Sequence, residues 1–503
     1  MLLSIVLFLP LAGAIALSFV PDERSAKVTA LVASVAAFVA SLVLVARFDT
    51  AQAQLQLVVD AEWIPAIGAS YALAVDGISL LLIVLTTFMT PLIILASWDH
   101  RDRVRGYLAA FLALETAVLG VFTATDLLLF YVFFEFSLVP MYLIIGMWGG
   151  VNRRYAAVKF FLYTLLGGLL MLVGILYLYG QAGTFDYQAI RELTLPVETQ
   201  RWLFLVFFVA FAVKVPLFPV HTWLPDAHTE APTAGSVFLA AILLKMGGYG
   251  LLRFSLPFFP EATREFVPWI LGLCVIGILY GAVVALMQKD VKKLIAYSSV
   301  AHMGFVVLGI FALNVTATSA GVVQMVNHGL STGALFLLIG FLYERRHTRQ
   351  IAAFSGLARR VPVMAGFWLV VTMSSLALPG LNGFVGEFPI LLGTYQAVPW
   401  AAVLGAFGVV LAALYLLWAY QRMFHGPLVG ADNEHTIDLK PLEIGVLTPL
   451  VVLIVLIGVF PQPLYDTVVP SVERVLAEMG GDVAAAGDAL VVPAGDASGG
   501  ASR

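Results

Sequence analysis

The sequence predicts an all-α integral membrane protein of about 14 transmembrane helices. Three observations predict it. Of 503 residues, 61% are hydrophobic and only 12% charged, about half the charged fraction of a soluble domain. The mean hydropathy of +0.97 is sustained in runs of about 20 residues, the length that spans a bilayer. Basic residues fall in every second loop, the alternation that orients a polytopic chain.

Taken in order, apolar spans fall at 2–20, 28–46, 77–97, 107–125, 127–148, 155–180 and 202–220. They continue at 235–254, 268–287, 294–313, 317–342, 362–396, 400–421 and 443–461. The first has no basic flank and exceeds the apolar run of an ordinary signal peptide, so it reads as a retained helix. The stretch 362–396 is too long for one crossing and contains Pro379-Gly380 and Asn382-Gly383, so it reads as one helix broken at mid-depth. Arg24 and Lys27, Arg101 to Arg105, Arg153 and Arg154, Lys289 to Lys293, Arg345 to Arg360, and Arg422 with Lys440 mark one set of loops. By the positive-inside rule that set is cytoplasmic, and both termini lie on the outer side. VVPSVERVLAEM reads as a short amphipathic surface helix, and the Gly-, Ala- and Asp-rich tail at 480–503 as disordered.

Composition also excludes function classes. A net charge of −4 argues against nucleic-acid binding. One cysteine, Cys274, excludes a disulfide framework and a cysteine-ligated Fe–S cluster within the chain. Neither a Rossmann fingerprint nor a P-loop is present.

The informative residues are those that are costly in lipid. Glu115, Glu135, Lys214, Lys245, His302, His328 and Glu387 all fall inside predicted spans, and ionisable residues there mark ion or proton pathways by default. Glu115 and Glu135 flank the turn at Asp126 and reach similar depth. A buried lysine beside a carboxylate can load and release a proton as its partner moves. The competing reading is a static Glu–Lys pair that fixes packing. His302 and His328 suit proton relay, with bis-histidine haem ligation as the rival.

Prolines mark the second feature. Pro216 and Pro219 follow Lys214, and Pro379 precedes Glu387. Proline removes an intrahelical hydrogen bond, and a helix broken in a membrane survives only where it lines protein or water. Breaks in spans 7 and 12 imply two inverted five-helix repeats, spans 4–8 and 9–13. The chain then divides into spans 1–3 (1–106), a first repeat (107–254), a second repeat (268–421), span 14 (443–461) and the tail. In that scheme Lys214 and Glu387 hold corresponding positions. VHTWLPDAHTEAPTAGSV after span 7 reads as a polar cytoplasmic loop capping the next helix, with proton entry as a further role.

FFEFSLVPMYLIIGMWG, KVPLFPVHTWLPDAHTEAPTAGSV, QKDVKKLIAYSSVAHMGFV, QMVNHGLSTGALFLL, LYERRHTR and LALPGLNGFVGEF together resemble the antiporter-like membrane subunits of respiratory complex I. The likeness covers about residues 75–425. Within that family, Glu387 in place of the usual lysine, an end after span 14, and YERRHTR are similar to the subunit M (chain 4) branch.

The resemblance implies a proton-translocating subunit of NADH:quinone oxidoreductase in a bacterial inner membrane. Glu135 and Lys214 would form the input-side pair and Lys245 the central carrier. His302 and His328 would lead, with waters, to Glu387 as the exit-side acid. Glu115 is not part of the family motifs. The resemblance further implies no cofactor or metal in this chain, with FMN, Fe–S clusters and quinone in other subunits. Its partners would be the neighbouring antiporter-like subunits L and N, together with lipid. The rivals are a sodium/proton antiporter subunit, a membrane cytochrome and a passive scaffold.

Overall fold

A computed structural model describes residues 1–480, so the expectation for the tail lies outside the described residues apart from Gly480. The helices are α1 (Leu2–Ala16), α2 (Glu23–Arg47), α3 (Gly77–Ala96), α4 (Val104–Thr123), α5 (Leu127–Trp148) and α6 (Arg153–Ala182). Next come α7 in two pieces (Val197–Lys214 and Trp223–Glu230), α8 (Thr233–Phe258), α9 (Pro260–Leu286), α10 (Val291–Phe311) and α11 (Val315–Arg346). The chain continues with α12 in two pieces (Pro362–Ser375 and Asn382–Ala397), α13 (Pro399–Phe424), α14 (Pro441–Val459) and α15 (Gln462–Glu478). Among the described residues, 12 helices are long and apolar enough to cross a membrane.

The ends of these helices follow local chemistry. Asp76, Asp126, Asp290 and Asn314 cap α3, α5, α10 and α11, each accepting from a backbone N–H of the first turn. Pro260, Pro362, Pro399 and Pro441 open four helices at the position where a missing N–H costs nothing.

The all-α expectation needs one correction. Residues Gln56–Ile64 (β1) and Ala69–Val75 (β2) form an antiparallel hairpin. Its turn is closed by Gly68 at φ 63°, a left-handed position that glycine takes without strain. Hydropathy over a helical window passes over such a segment because its apolar runs are short and broken by Asp60, Glu62 and Gly68.

Burial separates the bundle into centre and rim. The apolar windows of α8 and α11 are buried on every side, whereas α2, α6, α13 and α14 keep broad exposed apolar faces. A helix enclosed on all sides has no lipid-facing stripe to satisfy, so its ionisable residues see only protein. α15 packs Val468, Val472, Val475 and Leu476 inward and is tied to the bundle by Arg474, which pairs with Asp76 at 3.0 Å.

Candidate functional site

Two helix interruptions position the charged residues. Lys214 ends the first piece of α7, and the chain does not resume helical geometry until Trp223. The Val213 carbonyl freed there accepts from Trp223 Nε1 at 2.9 Å. In α12 the interruption runs from Leu376 to Leu381. Asn382 binds it to α11 by a reciprocal pair: Asn327 Nδ2 donates to the Asn382 carbonyl at 2.7 Å, and Asn382 Nδ2 donates to the Asn327 carbonyl at 3.3 Å. Lys214 precedes its break and Glu387 follows its own by several residues. The two charges are therefore not at equivalent places, contrary to the sequence expectation, because each was located only by its distance from a proline.

A third irregularity lies in α8. Its segment Leu239–Leu243 is a π-helical turn, a defect that frees carbonyls and recurs at functional sites. The Ala240 carbonyl accepts from Lys245 Nζ at 2.5 Å. The same Nζ lies 2.7 Å from His328 Nδ1. Lys245 is 0% exposed and has no carboxylate partner among the described residues. The structure thus brings Lys245 of α8 and His328 of α11 into direct contact.

The contact continues toward α12. The His302 and His328 rings lie 5.9 Å apart, centre to centre. His302 Nδ1 is 2.6 Å from Glu387 Oε1, which also accepts from Gln324 Nε2 at 2.9 Å. Between them is a polar cavity lined by His302, Gln324, Asn327, His328, Ser331 and Glu387 among others, with about 10 Å³ for water centres, the room of roughly one water. The Nε2 atoms of both histidines, Gln324 Oε1 and Asn327 Oδ1 have no protein partner, as expected of groups that face water.

Glu135 and Lys214 stand apart from this cluster and from each other. Lys214 is 1% exposed. Its Nζ donates to Ser137 Oγ at 3.5 Å and lies over the Phe134 ring at 5.0 Å. Glu135 is half-buried on the outer side of α5, with Oε1 unpartnered against Gly168 of α6. No ion pair joins the two among the described residues.

Sequence reasoning missed four contributors. Gln324 and Asn327 look like ordinary polar residues of a long helix. The triad of Asp76, Arg253 and Arg474 (2.6 and 3.0 Å) joins residues almost 400 positions apart. His228 was taken as part of a polar loop, yet Trp223–Glu230 is a buried helical piece. The His228 ring stacks on Phe336 at 4.4 Å, and both its nitrogens are unpartnered. A helical signal was present there, because Trp223, Leu224, Ala227 and His228 share one face at helical spacing.

Comparison with known proteins follows from this geometry. A family model described as the transmembrane region of NADH:quinone oxidoreductase/Mrp antiporter matches residues 124–414. A model of the amino terminus of NADH-ubiquinone oxidoreductase chain 4 matches residues 3–125. The chain is 49% identical over 494 residues to NADH-quinone oxidoreductase subunit M of Rhodobacter capsulatus, covering 94% of this chain and 96% of that one. It is 44% identical over 478 residues to NADH-ubiquinone oxidoreductase chain 4 of Arabidopsis thaliana, covering 94% and 97%. Among solved structures it is similar to a chain of respiratory complex I from Thermus thermophilus, with a TM-score of 0.88 and 34% identity over 96% of this chain and all of that one. A chain of the Mrp complex from Dietzia sp., at 19% identity, 95% and 99% coverage and a TM-score of 0.84, shares the fold.

Proposed function

The chain belongs to the antiporter-like membrane subunits of NADH:quinone oxidoreductase, and from that premise we propose that it translocates protons as the subunit M (chain 4) component of complex I. NADH oxidation, FMN, the Fe–S clusters and quinone reduction belong to other subunits. The chain crosses a bacterial inner membrane 14 times, with both termini on the outer side. Helices α4–α8 and α9–α13 are inverted repeats, and α7 and α12 are discontinuous crossing helices. The adjoining antiporter-like subunits L and N flank it.

The observation that carries this reading is the contact series from Lys245 through His328 and His302 to Glu387. With Lys245 as the donor to His328 Nδ1, the His328 proton sits on Nε2, facing the cavity. His302 Nδ1–H donates to the Glu387 carboxylate, which leaves His302 Nε2 free to accept from the same cavity. When Lys245 gives a proton to His328 Nδ1, the Nε2 proton leaves through a cavity water to His302 Nε2. The His302 Nδ1 proton then passes to Glu387, which releases it outward.

Glu135 and Lys214 are the input. Drawing Glu135 toward Lys214 favours the ammonium, and withdrawing it favours the amine and sends charge on to Lys245. The sodium/proton antiporter reading is weaker, because an acid rather than a lysine ends the series.

The test is Lys214→Ala in the assembled complex. Proton pumping driven by NADH oxidation should be abolished while the complex still assembles on a native gel. Full pumping by that assembled variant would sink the reading.

A further inference from the structure

Glu115 is a buried ionisable residue that the pathway above leaves without a role. It sits at the middle of α4 and is 0% exposed, and neither carboxyl oxygen has a hydrogen-bond partner. No cation pairs with it among the described residues. An isolated carboxylate in such surroundings costs far more than folding can offset, and the group neutralises instead. The Thr90 hydroxyl of α3 is committed to the Thr86 carbonyl at 2.9 Å and gives the Glu115 carboxyl no hydrogen bond.

The position of Glu115 relative to α8 is fixed by two aromatic pairs. Phe111 meets Phe238 at 6.0 Å, and Phe122 meets Tyr249 at 5.3 Å. The pairs are spaced by the same number of residues on both helices, so α4 and α8 run parallel and in constant register. Glu115 is then about level with Ile242, inside the π-helical turn, within about one helical turn of Lys245 along the axis. Two contacting helices thus hold, at nearly one depth, a buried acid without a base and a buried base without an acid.

We infer that Glu115 is a second proton partner of Lys245, resting as the neutral acid and donating its proton to the Lys245 amine during the cycle. In that step the Glu115 O–H bond breaks and a Lys245 N–H bond forms, giving carboxylate and ammonium, and the reverse step restores the neutral pair. The site thereby lets Lys245 become charged without an uncompensated cation in the bundle. The inference rests on the proton pathway proposed above.

Glu115→Gln in the intact complex keeps the volume, so packing is preserved and only the exchangeable proton is lost. Pumping per NADH oxidised by the assembled variant should fall by about tenfold. Redox-induced infrared difference spectra of the unaltered complex should contain a protonated-carboxyl C=O band that shifts in D2O. The band should disappear in Glu115→Gln and shift in Thr90→Val, where a polar hydroxyl on the adjoining helix is replaced by a methyl group. Unchanged pumping in assembled Glu115→Gln, or a carboxyl band that both variants leave in place, overturns the inference. Lys214→Ala separates the two ideas. If it pumps fully the pathway itself falls, and if it is inactive while Glu115→Gln is normal only the role of Glu115 falls.

Discussion

The two ends of the charged series are built differently. Toward α12 the groups touch: Lys245 with His328, and His302 with Glu387, at 2.7 and 2.6 Å. Toward α5 they do not: Glu135 leans on Gly168, and Lys214 is held by Ser137 and the Phe134 ring. Hydrogen-bonded pairs on either side of a polar cavity pass protons with only local reorientation, so they give no control over when the protons move. A separated acid and base can decide, because their mutual attraction varies inversely with distance and each changes the proton affinity of the other. On the proposed function, the connected end serves as the wire and the separated end as the control. Movement in neighbouring subunits can act on the half-buried Glu135 at the rim, whereas Glu387 lies enclosed by α10, α11 and α13.

The largest effect expected from breaking the connected end is at Glu387. Glu387→Ala removes the acceptor of both His302 and Gln324 and leaves two buried donors without a partner, each at a cost of about 1–3 kcal/mol. Pumping in the assembled complex should drop at least about a hundredfold, the scale on which a positioned proton-transfer group acts. Glu387→Gln should be nearly as inactive, since its amide cannot carry the proton. Proton uptake and release measured with a pH dye in sealed vesicles checks both. A Glu387→Gln enzyme that pumps normally would show that the wire does not end there.

A smaller loss is expected one contact back. Gln324→Leu removes the 2.9 Å hydrogen bond to Glu387 Oε1 but leaves His302 in place. A hydrogen bond to a charged group contributes about 1.5–3 kcal/mol. Since His302 compensates in part, a roughly tenfold loss of pumping rate, with full assembly, is expected. A Gln324→Leu enzyme as inactive as Glu387→Ala would move the essential contact from His302 to Gln324.

This division was only half legible in the sequence. The apolar spans and the seven ionisable residues within them could be read because hydropathy and charge are local signals. The contacts among them could not, since the His302–Glu387 pair joins residues 85 positions apart and is set by how α10 and α12 cross. The triad around Asp76 was hidden for the same reason, whereas the helix that buries His228 left a local signal in Trp223, Leu224 and Ala227. The hairpin at 56–75 has only short apolar runs broken by Asp60, Glu62 and Gly68, too brief for a membrane span. The idea of equivalent positions for Lys214 and Glu387 failed because a proline marks a break without saying on which side of it the functional group lies.

The smallest and most specific effect is expected at the separated end. Gly168 of α6 makes room for Glu135: a Cβ built there would lie 1.6 Å from Glu135 Oε1 and 2.7 Å from its Cδ. Gly168→Ala must therefore displace the carboxyl, and the displaced group is the end of a flexible side chain, so the helix can keep its course. Alanine also favours a helix interior over glycine by about 1 kcal/mol, so assembly should not suffer. The expected result is normal assembly, with NADH-driven pumping changed a fewfold because the Glu135–Lys214 separation is altered while the wire is untouched. Gly386→Ala is the matched change at the other end, where the added Cβ would lie 2.1 Å from Gln324 Oε1. There it should mimic the loss of the Gln324 contact. If the two alanines gave the same fall in pumping, the distinction between a control end and a conducting end would be lost. If Gly168→Ala alone changed how pumping depends on the rate of electron transfer, the distinction would be sharpened to one residue.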